Sequence, residues 1–138
     1  VRYKKIGSSM KEIFILEDSP FRVKWFKETF AYGNELTIVD NVKDAIEYLN
    51  NGNPYIMFLD HDLDGEIYVD SFKENTGYRL TEWIYKSERI YNKIIIHSLN
   101  PVGVDNMFYM LTRKPSAKDV RKIPFSDLIR YDSRYLLK

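Results

Sequence analysis

Ile56-Met57-Phe58-Leu59-Asp60-His61-Asp62-Leu63-Asp64-Gly65 is the stretch on which the reading of this chain turns. Four apolar residues without a polar interruption suit a short strand buried on both faces, as in a parallel sheet. The polar run that follows cannot be buried without partners. It is therefore expected at the carboxyl end of the strand, where open α/β sheets bind their ligands. A solvated loop after a core strand is the plainer alternative.

Working outward, the chain alternates strand and helix patterns. Residues 12–16 form an apolar first strand ending in Glu17 and Asp18. Ser19 and Pro20 then suit the N-cap and first turn of a helix. Its apolar stripe is Phe21, Val23, Trp25, Phe26 and Phe30, with Arg22, Lys24 and Lys27 outside. Gly33 and Asn34 close it. Residues 36–39 read as a second strand, 42–49 as a helix, and 56–59 as the third strand. Residues 64–75 show no period and read as a loop over the strand end. A helix is expected from Thr76 and Gly77, a fourth strand over 93–96 ending in His97 and Ser98, and a helix over about 102–111. Residues 119–123 are a weak fifth strand stopped by Pro124, and a short helix through Phe125, Leu128 and Ile129 closes the domain.

This alternation implies a parallel sheet with right-handed crossovers. Five strands and five helices match the flavodoxin-like, doubly wound α/β order 2-1-3-4-5. That order brings Glu17, Asp18, Asp60, His61, Asp62, His97 and Ser98 to one edge.

Composition narrows the function classes. The 138 residues suit one domain, expected to be 10–138. Residues 1–9, with Gly7-Ser8-Ser9 before Met10, read as a leader or expression scar, expected to be disordered. The absence of cysteine removes disulfides, thiolate nucleophiles and cysteine-based zinc sites, and it fits a cytoplasmic setting. No apolar run approaches the roughly 18 residues of a membrane span. No DNA-binding motif is present. A net charge of +1 will not steer the molecule onto nucleic acid, so RNA or nucleotide binding would need a local site.

Glu17, Asp18 and Asp60 make an oxygen-rich cluster. Three carboxylates held together repel one another unless protonated or bound to a cation, and Mg²⁺ or Mn²⁺ fits them. Alternatively, Asp18 caps the first helix and Glu17 is solvated. The only two histidines, His61 and His97, both fall at strand ends. Imidazole titrates near neutrality, so two of them suit a reaction in which one group removes a proton while another donates one. One could instead ligate a metal or pack into the core. Ser98 can donate to a phosphoryl oxygen. Asn100-Pro101-Val102-Gly103 opens a helix whose N–H groups could meet a phosphate. Arg113, Lys114, Lys118, Arg121 and Lys122 read as a solvated basic surface, with Lys122 alone near the site.

The acid pair, Asp60 and Ser98 resemble the receiver domains of bacterial two-component response regulators over about residues 11–125. In that family the acids hold Mg²⁺, the third-strand Asp is phosphorylated, and a Ser or Thr after strand four signals its state. The fifth-strand Lys-Pro pair of receivers is replaced here by Lys122-Ile123-Pro124. His61, Asp62, the 64–75 loop and His97 are further departures. Together, Leu59-Asp60-His61-Asp62-Leu63, His97-Ser98-Leu99-Asn100-Pro101-Val102-Gly103 and Asn106-Met107 are similar to the cyclic-phosphate-processing receiver family of phages and bacteria. That resemblance implies a metal-dependent phosphoesterase acting on a cyclic nucleotide or an RNA 2′,3′-cyclic phosphate end, in the host cytoplasm if phage-encoded. It implies His61, His97 and Asp62 as catalytic residues. Ser98, Asn100, Gly103, Asn106 and Lys122 would bind phosphate, and Glu17, Asp18 and Asp60 would hold the metal. A phosphoacceptor receiver, or a binding module for a nucleotide or protein partner, is the alternative.

Overall fold

The computed structural model describes residues 10–138, so the expected leader, 1–9, lies outside the described residues. Five strands form one wholly parallel sheet in the order β2-β1-β3-β4-β5. In chain order these are β1 (Lys11–Leu16), α1 (Pro20–Phe30), β2 (Asn34–Val39), α2 (Val42–Asn51), β3 (Ile56–Leu59), α3 (Gly77–Ser87), β4 (Tyr91–Ile96), α4 (Pro101–Thr112), β5 (Ala117–Lys122), α5 (Phe125–Leu128) and α6 (Ser133–Leu136). The expected doubly wound architecture is the observed one. The tail forms two short helices rather than one.

Side chains alternate across a strand, so each strand feeds two cores. Phe14, Leu16, Met57, Leu59, Ile94 and Ile96 pack beneath α2, α3 and α4. Ile13, Ile15, Ile56, Phe58 and Ile95 pack on the other face, with Phe26 and Phe30 of α1, Phe125 and Leu128 of α5, and Leu136 of α6. The aromatic share expected from composition is concentrated there: Phe26 lies 5.2 Å from Phe58 and 6.1 Å from Phe125, centroid to centroid.

Two boundaries differ from expectation for physical reasons. β2 starts at Asn34, whose side chain donates to Phe30 O at 3.0 Å and so binds the strand to the end of α1. β5 starts at Ala117, because pairing with β4 (Tyr91 with Ala117, Ile96 with Lys122) sets its register. Its largely polar sequence carries no hydrophobic period to announce that start. Among the described residues no helix is long and apolar enough to cross a membrane.

Candidate active site at the carboxyl edge of the sheet

β1, β3 and β4 end side by side, with Leu16 beside Leu59 and Leu59 beside Ile96. Asp60 N then donates to Leu16 O at 3.1 Å and His97 N to Leu59 O at 3.0 Å, so the ladder runs on into the polar residues. Alternation runs on with it. Glu17, Asp60 and His97 follow Ile15, Phe58 and Ile95 onto the α1/α5 face. His61 follows Leu59 onto the opposite face.

On the α1/α5 face, Glu17, Asp60 and His97 are buried and offer ligand atoms that lie within 4.8 Å of one another. The His97 ring sits against Phe26 at 5.3 Å and Phe125 at 6.4 Å. Its Nε2 meets Glu17 Oε1 at 2.9 Å, and a carboxylate can only accept, so Nε2 carries the proton. Its Nδ1 has no hydrogen-bond partner among the described residues. Glu17 Oε2 also accepts from the backbone N–H groups of Asp18 and Ser19, both at 3.0 Å. Ser19 is the N-cap of α1, as expected, but makes no side-chain cap bond; the Glu17 carboxylate meets its N–H instead. Burial alone would raise the Glu17 pKa, but His97, the Ser19 N–H and Arg22 outweigh it and bring it to about 2. Asp60 goes the other way: burial and then the Glu17 charge push it well above the ordinary range, against the pull of Arg22. Arg22, expected outside the helix stripe, turns inward, its Nη1 3.5 Å from Glu17 Oε1 and 3.6 Å from Asp60 Oδ2.

On the other face His61 is fully buried in a hydrogen-bonded chain. Its Nδ1 lies 2.7 Å from Asp62 Oδ1 and its Nε2 2.8 Å from Ser71 Oγ, which also accepts from Asn106 Nδ2 at 2.9 Å. Asn100 Nδ2 donates to Asp62 Oδ1 at 3.0 Å and to Val69 O at 3.2 Å. The Asp62 carboxylate also accepts from Tyr68 N at 2.7 Å and Val69 N at 3.2 Å. Burial would raise its pKa, yet the bonds from Asn100, His61 and Tyr68 N win and hold it below the ordinary range. Asp62 thus fixes the first half of the 64–75 loop, including Tyr68 at φ 52°, a left-handed conformation uncommon for a bulky side chain.

Two glycines let the backbone close around this chain. A Cβ on Gly77 would lie 1.9 Å from Asp60 O, and a Cβ on Gly103 2.4 Å from His61 Cγ. Gly103 therefore differs from the expected phosphate donor. Its N–H is already given to Asn100 Oδ1 at 3.0 Å, the side-chain cap of α4, and its lack of a side chain makes room for the imidazole.

A cleft of about 420 Å³ opens at this edge, lined by Asp18, Arg22, Asp60, Asp62 and Ser98, with Ile67, Tyr68 and Leu99 among its apolar residues. Asp18 Oδ2 accepts from Gly65 N at 2.6 Å, and burial raises its pKa, with the Glu17 charge adding to the rise. Glu17 and His97 lie behind Asp60. His61, Asn100, Gly103 and Asn106 lie behind Asp62, and neither imidazole lines the cleft. Lys122 lies apart from it, 3.5 Å from Asp105 and 4.7 Å from the Phe108 ring centre, because β5 alternation points it to the α4 face. A larger groove of about 820 Å³ between α1 and β2 shares Asp18 with this cleft and adds Glu17, but does not reach Asp60. Sequence reasoning missed Arg22 and Ser71. The first-turn position of Arg22, beside the acid pair, was the one available signal.

The donor set suits a divalent cation: Glu17, Asp60 and His97 form the cluster, the expected ligand Asp18 stands outside it but lines the same cleft as Asp60, and the raised Asp60 pKa is one that a cation would relieve.

A five-stranded parallel sheet in this order, with an acid cluster at its carboxyl edge, defines a receiver-type domain. Solved receivers agree in fold. TrrA of Thermotoga maritima has a TM-score of 0.63 and 19% identity, covering 94% of this chain and 100% of its own. The signal receiver domain of a LuxO repressor protein from Vibrio parahaemolyticus has a TM-score of 0.61 and 18% identity, covering 94% and 90%. A CheY-like receiver from Methanospirillum hungatei has a TM-score of 0.61 and 16% identity, covering 94% and 89%. Residues 15–113 match the family described as cyclic-phosphate processing receiver domain, and the chain belongs to that family. No curated protein matches it.

Proposed function

We propose that this receiver-type domain is a metal-dependent phosphoesterase that opens cyclic phosphates, with cyclic nucleotides and RNA 2′,3′-cyclic phosphate ends as its substrate class. One observation carries the reading. Two histidine–carboxylate pairs, Glu17–His97 at 2.9 Å and Asp62–His61 at 2.7 Å, flank Asp60 from the two faces of the sheet. That is proton-handling equipment which phosphoryl signalling through a single Asp does not need. The matched family description points the same way. Ile123 would add support if it takes the position of a receiver's fifth-strand lysine, since it is apolar and buried in the α1-face core.

Asp18 and Asp60 would hold Mg²⁺ or Mn²⁺ with Glu17 behind them, since both ions suit carboxylate and water oxygens. The cation, when bound, neutralises phosphoryl charge and lowers the pKa of water. Hydrolysis adds water to phosphorus, breaks one ring P–O bond and delivers a proton to the departing ribose oxygen. Asp62, which lines the cleft, would take the proton from water at a carboxylate oxygen and pass that same proton to the departing ribose oxygen, with His61 stabilising the carboxylate from behind. His97, on the other face, keeps the Glu17 carboxylate charged behind Asp60 and so supports the cation site rather than the proton transfer. Ser98 donates its hydroxyl to a non-bridging oxygen.

The test is hydrolysis of 2′,3′-cyclic nucleotides and cyclic-phosphate-ended RNA, with and without Mg²⁺ or Mn²⁺, across a range of pH. Activity dependent on metal, lost in Asp60→Asn and reduced in Asp62→Asn, is expected. No turnover of any cyclic phosphate by folded, metal-loaded protein would reject the reading. Asp60, at the cleft with Arg22 beside it, also favours a second reading as a phosphoacceptor that signals to a protein partner. TrrA is described in complex with Mg²⁺ and beryllofluoride. A stable mass gain of one phosphate on Asp60 after acetyl phosphate treatment would establish that reading.

A further inference from the structure

The cleft has four acidic residues on its walls, Asp18, Asp60, Asp62 and Glu66, and a single basic residue, Arg22. Carboxylates repel a phosphate, so any phosphate ester seated there needs a cation from the protein or from solution. β5 does not supply one. Ile123 is buried in the α1-face core, and Lys122 is turned to Asp105 on the other face.

Arg22 is not explained by its own helix. It lies in the first turn of α1, where the helix dipole disfavours a cation, and no acid shares that turn. Nor do the neighbouring carboxylates use its donors fully. A single nitrogen, Nη1, faces both Glu17 and Asp60, at 3.5 Å and 3.6 Å. Among the described residues, Nε and Nη2 make no hydrogen bond. The group lies over the Phe125 ring, 5.5 Å from its centre, which steadies the guanidinium without consuming a donor. Its side chain is 25% exposed, unlike those of Glu17 and Asp60 beneath it. A held, partly open guanidinium with free N–H groups matches the two-oxygen face of a phosphate.

We propose that Arg22 is the phosphoryl-binding residue of the cleft, giving its free N–H donors to the non-bridging oxygens of a phosphate ester seated over Asp60. In this role it takes from α1 the charge that a receiver takes from its fifth strand. The inference rests on the reading that the cleft accepts a phosphate ester, and not on the ester being hydrolysed there.

The test is binding of inorganic phosphate to the full chain with Mg²⁺ present, followed by ³¹P NMR titration, for wild type, Arg22→Gln and Arg22→Lys. Mg²⁺ affinity is measured separately through tryptophan fluorescence, and near-ultraviolet circular dichroism checks the fold. Arg22→Gln should weaken phosphate binding by about tenfold or more, as expected for loss of charge-assisted hydrogen bonds. Arg22→Lys, which keeps the charge but not the fork, should recover part of it and serves if the glutamine variant does not fold. Mg²⁺ affinity should hold or rise, because a competing cation has left Asp60. Equal phosphate affinity in wild type and the variants overturns the proposal, as does a wild type that binds no phosphate. Phosphate binding through Arg22 in a chain that hydrolyses nothing would reject the enzymatic reading and leave this one standing.

Discussion

Replacing Gly103 with alanine places a methyl carbon 2.4 Å from His61 Cγ and 2.6 Å from both Cδ2 and Nδ1. Ordinary contact begins near 3.4 Å, so ring and helix must separate by about 1 Å. Neither gives way freely. The ring is held at one end by Asp62 at 2.7 Å and at the other by Ser71 at 2.8 Å. Helix α4 is held by the Asn100 cap at Gly103 N itself. Overpacking of this kind costs about 1–3 kcal/mol, and weakening one buried hydrogen bond adds about 1 kcal/mol. Alanine returns at most about 1 kcal/mol through helix propensity. The expected net loss is about 2 kcal/mol, read as a lower urea midpoint at unchanged slope. The decisive comparison is the same substitution in a His61→Ala background. There the methyl enters vacated space, and Gly103→Ala should be neutral or mildly stabilising, so the two sites couple by about 2 kcal/mol or more. An equal loss in both backgrounds, or no loss in the first, would refute the packing of His61 against α4.

Other perturbations address the rest of the site. Because the folded state raises the Asp60 pKa, the associated stability is full below its ordinary value of 3.8 and is lost as pH rises through the folded value. Asp60→Asn should therefore stabilise the metal-free protein at neutral pH and change little near the acid limit; destabilisation at neutral pH would contradict this. His97→Ala leaves the Glu17 carboxylate buried without its ring partner, and denaturation should show a loss of about 3 kcal/mol or more; a loss below about 1 kcal/mol would mean the pair contributes little. Asp62→Ala removes the acceptor for the Tyr68 and Val69 amides, whose hydrogen exchange should accelerate selectively; unchanged protection would show that the loop is held by other contacts.

The fold was legible because its cues are local. The apolar run before Asp60, the Ser19-Pro20 start and the alternation of periods each needed only a few neighbouring residues, and together they dictated the strand order. The convergence of Glu17, Asp60 and His97 was legible as well. Their division from His61 could have been read too, since Asp60 and His61 are consecutive and period-two alternation sends consecutive residues to opposite faces. Arg22 was harder. A helical wheel places it outside, and only the seating of α1 over β1 and β3 brings it to Asp60. Ser71 and Gly65 were out of reach. Ser71 meets His61 from ten positions away, and Gly65 meets Asp18 across 47, through a loop whose course no period encodes. Gly103 shows a related limit: a glycine at a helix start suggests an open donor, and only the packed structure shows that it makes room for a ring.

Asp60 and His61 are neighbours in the chain yet stand on opposite sides of a bulkhead. One hydrogen bond, His61 N to Asp60 Oδ1 at 2.8 Å, spans the join between the two compartments. Substitutions within either compartment can accumulate separately, because few contacts carry their effects across. Length changes cannot. Deleting or inserting a single residue between Phe58 and His61 would shift the reading frame of the strand and exchange the two contents, sending an imidazole to the metal-fitting side and a carboxylate beneath α4. The 64–75 loop, by contrast, has no strand register to keep: it is held by separate tethers, Gly65 to Asp18, Tyr68 to Asp62, Ser71 to His61 and Asn75 to Asp64, and the stretches between them are not paired in the sheet. In relatives of this chain, insertions and deletions should therefore fall within that loop, and the spacing from Phe58 to His61 should be invariant.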